Sequence, residues 1–96
     1  MKSKRLDDVK SFCEQLLHHV EHYTIPQYGD YPDDYLSRMT VTDCMKHIQK
    51  YVIRNDRGKV NGGVPRQCQD MLKIAHYAAH AYFLLRDRDG NSELDR

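Results

Sequence analysis

The sequence predicts an all-α domain built from three main helices and a shorter helical turn. Apolar residues recur three and four positions apart in three separate segments, which is the period of a helix with one buried face. Prolines and glycines are concentrated between those segments, where they end helices. With 40% hydrophobic and 30% charged residues, the 96 positions predict one globular domain, residues 1–96, frayed at 1–6 and 87–96.

The first helix is predicted over residues 7–22. Asp7 and Asp8 are expected to cap it, because carboxylates favour the positive end of the helix dipole. Its apolar residues form one stripe: Val9, Phe12, Cys13, Leu16, Leu17 and Val20.

A packed, tyrosine-rich loop is predicted to follow, over residues 23–32. Pro26, Gly29 and Pro32 are expected to interrupt any helix there. Pro32 is also a suitable first residue for a short helical turn through Leu36.

The second helix is predicted over residues 40–54. Thr40 and Asp43 have the spacing of a capping box, with Asp in place of the usual Glu. One side carries the apolar stripe Val41, Cys44, Met45, Ile48 and Val52, with Tyr51 at its margin. Lys46, Lys50 and Arg54 are four apart and are expected on the opposite, solvated side.

The third helix is predicted over residues 65–86, with Pro65 as its first residue. At 1.5 Å per residue it would be on the order of 30 Å long. Apolar residues occupy most of its circumference, which is typical of a helix in a core or at a subunit interface. We therefore expect a homodimer through this helix.

Composition limits the cellular setting. The sequence has no long apolar run, so neither a membrane span nor a signal peptide is expected. Cys13, Cys44 and Cys68 are odd in number and lie on apolar helical faces, which favours free, buried thiols in a reducing cytoplasm.

Cations and glycines coincide around the start of the third helix. Arg and Lys donate to phosphate oxygens, Gly lets backbone N–H groups approach, and a helix N-terminus favours anions. The sequence thus predicts a phosphate site of six residues: Lys46, Lys50, Arg54, Arg57, Lys59 and Arg66. No known phosphate-loop fingerprint is present, so a solvated helix face followed by a flexible loop is the alternative.

Metal binding is a weaker hypothesis. Two histidine pairs have helical i, i+4 spacing: His18 with His22, and His76 with His80. The first pair lies nearly opposite its apolar stripe, and His47 also looks like ordinary surface. Three carboxylates are placed near helix–helix clefts, where Mg²⁺ could be held: Glu14, Glu21 and Asp70. Asp70 is alternatively interpreted as an intrahelical ion pair with Lys73.

Three segments resemble small helical families of phages and prophages. They are Gln27-Tyr28-Gly29-Asp30, the run from Thr42 to Arg54, and the run from Asp70 to Ala78. The resemblance covers residues 23–85. One family is the nucleotide-modification-associated type, with a Tyr-Gly element, a Lys-x-x-Arg helix and a closing Asp-x-x-x-Tyr-Ala helix. Another, of unknown function, pairs a Lys-Tyr-x-x-Arg helix with an Asp-Leu-x-Lys-Ala-x-x-Tyr helix.

The resemblance implies a helical protein acting around phage DNA or nucleotide metabolism. The chain is also distantly similar to MazG-like helical nucleotide pyrophosphohydrolases, which bind Mg²⁺ through Glu-x-x-Glu and Glu-x-x-Asp pairs. Here no Glu-x-x-Glu occurs, and Gln67-x-x-Asp70 keeps only the second acid.

Three functions are compatible with these features. The preferred one is a non-catalytic module that binds nucleotide or nucleic-acid phosphate. The alternatives are a reduced Mg²⁺-dependent pyrophosphohydrolase using Asp70 with Glu14 or Glu21, and a protein-partner role for the tyrosine-rich loop.

Overall fold

A computed structural model describes residues 3–29, 39–58 and 60–88 of the chain. Every regular element among these residues is helical, and none is a strand. The predicted all-α fold is therefore confirmed. Internal contacts divide the chain into two units, residues 1–38 and 39–96, and each is described by itself below.

The first unit contains one long helical segment. Helix α1 spans Lys4–His19, a π-helical turn spans Val20–Thr24, and a short helix α2 spans Ile25–Tyr28. The predicted start at Asp7 is wrong, because Ser3 is the N-cap and its Oγ accepts a hydrogen bond from the N–H of Leu6 at 3.2 Å. Asp7 instead lies in the first turn of α1.

Residues 23–28 are helical, so the predicted loop is wrong over this stretch. A proline inside an α-helix clashes with the carbonyl four residues earlier and lacks an N–H to donate. The wider π-helical turn resolves both problems: the N–H of Ile25 bonds to the oxygen of Val20, and Pro26 falls in the first turn of α2. The segment ends at Gly29, where φ is 90°. The predicted turn from Pro32 through Leu36 lies outside the described residues.

The apolar stripe of α1 is largely solvent-accessible. Val9 is 55% exposed and Leu17 is 70% exposed, whereas His19 and Thr24 are the buried residues of this unit's described part. The prediction that this stripe is buried is therefore wrong within the first unit.

The second unit is a helical hairpin. Helix α3 spans Val41–Asp56 and helix α4 spans Gly63–Arg88, which makes α4 the longest element at 26 residues. The predicted capping box is confirmed: Oγ1 of Thr40 accepts from the N–H of Asp43 at 3.1 Å, and the Asp43 carboxylate accepts from the N–H of Thr40 at 3.0 Å. Both helices run slightly longer than predicted.

Helices α3 and α4 pack antiparallel. His47 near the start of α3 stacks on Tyr77 of α4, while Arg54 near the end of α3 bonds to Asp70 earlier in α4. Among the described residues of this unit, the buried apolar ones are Met39, Cys44, Tyr51 and Ala81.

The face that α3 turns toward α4 differs from the predicted stripe. Met45 and Val52 were expected in the core, but they are 52% and 49% exposed. Tyr51, predicted at the margin, is buried. The physical reason is that Arg54 and Asn55 must face α4 to bond the buried Asp70, and this fixes the rotation of α3 about its axis.

No helix among the described residues combines the length and the hydropathy that a bilayer crossing requires.

Candidate anion-binding site

The site is organised by the carboxylate of Asp70, whose side chain is completely buried. Nε of Arg54 donates to Oδ2 at 3.0 Å, and Nη2 of Arg54 donates to Oδ1. Nδ2 of Asn55 donates to Oδ2 at 3.0 Å and also to the backbone oxygen of Tyr51 at 2.7 Å. Both carboxylate oxygens therefore accept hydrogen bonds from the C-terminal part of α3, and this joins the two helices.

These contacts decide the charge state of the carboxylate. Burial alone raises the pKa of Asp70, but the hydrogen bonds from Arg54 and Asn55 and the positive charges of Arg54 and Lys73 together lower that pKa below its ordinary value. Asp70 is therefore an anion at neutral pH. The prediction that Asp70 pairs with Lys73 within α4 is wrong, because Arg54 of α3 makes the salt bridge to Asp70. The positive charge of Lys73 contributes only by lowering the pKa of Asp70.

Further cations surround this pair. Nε of Arg66 lies 3.9 Å from Oδ1 of Asp70, and the side chain of Arg66 is 44% exposed. Two lysines lie over the ring of Tyr51, with Nζ of Lys50 at 4.8 Å and Nζ of Lys73 at 5.5 Å from the ring centroid. Arg54 itself lies over the same ring, with its Cζ 5.1 Å from the centroid. We call Lys50, Arg54, Arg66 and Lys73 the cation cluster.

The cluster carries more positive charge than Asp70 can balance. Desolvation lowers the pKa of Lys73, and the nearby charges of Arg66, Arg54 and Lys50 lower it further, while Asp70 opposes them. The three cations together outweigh the one carboxylate. A site that disfavours a fourth positive charge in this way attracts an anion by the same electrostatics.

An aromatic row continues from the cluster along the α3–α4 contact. The rings of His47 and Tyr77 stack with centroids 4.6 Å apart and planes 5° apart, and Tyr51 lies 6.4 Å from Tyr77. The prediction that His47 is ordinary surface is therefore wrong. His47, Tyr51 and Arg54 occupy one face of α3, because they are spaced by about one helical turn.

The connection between the helices places Arg66 at the cluster. Gly58 and Gly62 have φ of 88° and 97°, which a residue with a side chain adopts only with strain. A Cβ on Gly62 would also lie 2.9 Å from Cβ of Arg66. Gly62 therefore permits the close turn that brings Arg66, in the first turns of α4, back toward the end of α3.

The six predicted phosphate-binding residues have different positions. Lys50, Arg54 and Arg66 belong to the cluster, although Arg54 is held by Asp70 rather than fully solvated as expected. Lys46 is exposed and its charge acts on Asp43 near the start of α3, and Arg57 is exposed at the C-cap of that helix. Lys59 lies outside the described residues. Lys73 was missed, since its spacing from Asp70 suggested an ordinary ion pair.

The candidate metal ligands do not form a metal centre in the described parts of the chain, where no three His, Cys, Asp or Glu residues converge. His18 and His22 are exposed with ring centroids 4.3 Å apart, and Nε2 of His22 contacts Glu21 at 2.9 Å. Glu14 is exposed on α1. His76 is half-buried beside Tyr77, and His80 is buried.

The predicted burial of the cysteines holds for one of them. Cys44 is fully buried, and burial raises the pKa of its thiol. Cys13 and Cys68 are exposed, so the prediction is wrong for both. Cys13 shares the accessible stripe of α1 that also carries Val9 and Leu17.

Searches for similar proteins returned no matching family model, no matching curated protein and no matching solved structure.

Proposed function

We propose that this protein is a non-catalytic binding module whose cation cluster takes a phosphate group of a nucleotide or nucleic acid. The observation that supports this most directly is the gathering of Arg54, Arg66 and Lys73 around the buried carboxylate of Asp70, with Lys50 over the ring of Tyr51 next to them. Arg54 and Arg66 offer planar donor groups, and Lys50 and Lys73 offer mobile point charges. The resemblance to phage-type helical families agrees with a nucleotide-associated role.

Accessibility also favours this proposal. The side chains of Arg54 and Arg66 are 34% and 44% exposed, and Lys50 is exposed. An anion arriving from solvent can therefore reach the cluster without unfolding the hairpin. Its negative charge would relieve the repulsion among the cations, which is a source of binding free energy.

The proposal is tested by titrating the protein with adenosine triphosphate and with a short single-stranded oligonucleotide at low and moderate salt. Affinity should fall steeply with salt, because binding releases counterions and the cluster acts by charge. The Lys50→Gln variant should bind several-fold more weakly. Lys46→Gln, an equal change of charge at an exposed residue of α3 outside the cluster, serves as the matched control and should bind adenosine triphosphate almost normally.

Phosphate-bearing ligands that fail to bind at low salt, or an affinity that is insensitive to salt, would reject the proposal. An equal loss of affinity for adenosine triphosphate in Lys50→Gln and Lys46→Gln would show that only net charge matters, which would also reject it.

The pyrophosphohydrolase alternative has less support. It needs Asp70 as a ligand of Mg²⁺, yet both oxygens of Asp70 accept hydrogen bonds from Arg54 and Asn55, and Arg66 lies nearby. Cations in these positions compete with a metal ion for the same oxygens. Pyrophosphate release from nucleoside triphosphates with Mg²⁺ would restore this alternative.

The homodimer through α4 remains a prediction. Met71, Tyr82 and Phe83 of α4 are between 42% and 47% exposed, which leaves apolar surface that a second copy can cover. Light scattering across a range of protein concentrations checks it, and a monomer at every concentration would reject it.

A further inference from the structure

The charges of the cluster are concentrated rather than spread along a track. Lys50, Arg54 and Lys73 converge on one tyrosine ring, and Arg66 and Arg54 approach the same carboxylate oxygen. Lys46, by contrast, is one helical turn before Lys50, or about 6 Å along the axis of α3. A ligand that fits the cluster is therefore compact.

The size of the charge excess limits the ligand further. Four cations and one carboxylate leave an excess of three positive charges. One phosphomonoester supplies at most about two negative charges at neutral pH. Two linked phosphate groups supply enough charge within a few ångströms to match this excess.

The orientation of Arg54 adds a geometric preference. Its Nε and Nη2 are directed to the carboxylate of Asp70, so Nη1 can donate to another acceptor on the opposite edge of the guanidinium group. Asp70 and Asn55 thus hold this side chain in one orientation before any ligand arrives, which lowers the entropy that binding costs.

On these grounds we infer that the ligand of the cation cluster carries at least two linked phosphate groups, as in inorganic pyrophosphate or the tail of a nucleoside diphosphate or triphosphate, and that Lys73 is one of its specificity-determining residues. This inference rests on the proposed phosphate-binding function. It distinguishes a compact polyphosphate from a nucleic-acid strand, whose charges would run past the cluster toward Lys46.

Calorimetric titration without divalent cations tests it with three probes: inorganic phosphate, inorganic pyrophosphate and a single-stranded oligothymidylate. Pyrophosphate should bind at least tenfold more tightly than phosphate. Lys73→Gln should weaken pyrophosphate binding about tenfold. The matched control Lys46→Gln, which removes a charge of the same type outside the cluster, should weaken it less than twofold.

A second variant guards against loss of folding in Lys73→Gln. Lys50 is exposed, so Lys50→Gln should keep the circular dichroism and melting temperature of the parent protein. The same variant should weaken the binding of pyrophosphate several-fold. Equal affinity for phosphate and pyrophosphate would overturn the inference, as would equal losses in Lys46→Gln and Lys73→Gln.

The outcomes separate this inference from the function on which it rests. Binding of oligothymidylate with no preference for pyrophosphate would overturn the polyphosphate assignment and leave phosphate binding standing. Failure of all three probes would remove both.

Discussion

Arg54, in the last turn of α3, donates through Nε and Nη2 to the buried carboxylate of Asp70, which lies sixteen residues further along the chain on α4. This contact joins the hairpin and also holds the Arg54 guanidinium group within a cluster whose positive charge exceeds that of its one carboxylate. Structure and proposed ligand binding therefore depend on the same pair, and the first prediction concerns its contribution to folding.

Asp70→Asn should destabilise the protein at neutral pH by about 3 kcal/mol, because it leaves Arg54 without its charged partner. The pKa of Asp70 is lowered in the folded state, so its contribution is present above the ordinary aspartate pKa of about 3.9 and is lost as pH falls through the folded value. The difference in the free energy of unfolding between parent and variant should thus be constant near neutral pH and decrease in acid. Urea denaturation across this range measures it.

Asp56→Asn is the control for that experiment, because Asp56 is an exposed carboxylate at the end of the same helix. It should change the free energy of unfolding by less than about 0.5 kcal/mol. If both variants behave alike, the Arg54–Asp70 contact does not stabilise the hairpin.

The glycine turn offers a second prediction. Gly58→Ala and Gly62→Ala both place a side chain at positive φ, which costs roughly 1 kcal/mol each. Only at Gly62 would the new Cβ also meet Cβ of Arg66 at 2.9 Å, whereas at Gly58 nothing lies within 4 Å. Gly62→Ala should therefore be clearly the more destabilising of the two, and it should also weaken anion binding by moving Arg66.

Chemical denaturation and pyrophosphate titration of the two variants measure these effects together. Equal losses of stability and affinity would show that the turn does not position Arg66.

The capping box supplies a third prediction. Thr40→Ala removes the hydroxyl that accepts from the N–H of Asp43, and it should lower the free energy of unfolding by about 1 kcal/mol. The pKa of Asp43 is lowered first by the hydrogen bond from the N–H of Thr40 and next by the Thr40 side chain, so Thr40→Ala should move that pKa only part of the way back up. Nuclear magnetic resonance titration of the carboxyl group measures the second effect.

Thr42→Ala, two residues later on the exposed side of α3, removes a threonine hydroxyl outside the capping box. It should leave stability unchanged or slightly higher. A larger loss in Thr42→Ala than in Thr40→Ala would contradict the assigned helix start.

Thiol reactivity gives a fourth prediction. Cys13 and Cys68 are exposed and should react quickly with a water-soluble disulfide reagent in the native protein. Cys44 is fully buried and has a raised pKa, so it should react only when the hairpin opens. Two fast thiols and one slow one are expected, and all three should be fast in denaturant. Rapid modification of Cys44 in the native state would contradict the packing of α3 on α4.

The parts of the fold that depend on neighbouring residues were predictable from the sequence. The capping box needs only Thr40 and Asp43 at the correct spacing, and it was identified correctly. The loop predicted around Pro26 is wrong, because the general rule against proline in helices does not anticipate the π-helical turn that precedes it.

The site was only partly predictable, because it depends on how two helices are rotated about their axes. The sequence indicated the cationic region and named Lys50, Arg54 and Arg66. It could not show that Arg54 turns inward to Asp70, since a contact between residues sixteen apart follows from packing rather than spacing. Lys73 was missed for the same reason: its neighbours come mostly from α3 and from the start of α4.

The most direct test is a nuclear magnetic resonance titration of the isotopically labelled protein with inorganic pyrophosphate. The backbone amide shifts should move saturably and most strongly at residues 50–54 and 66–73, while those of residues 80–86, further along α4, stay in place. Unchanged spectra at a large excess of pyrophosphate, or shifts confined to residues 80–86, would contradict binding at the cation cluster.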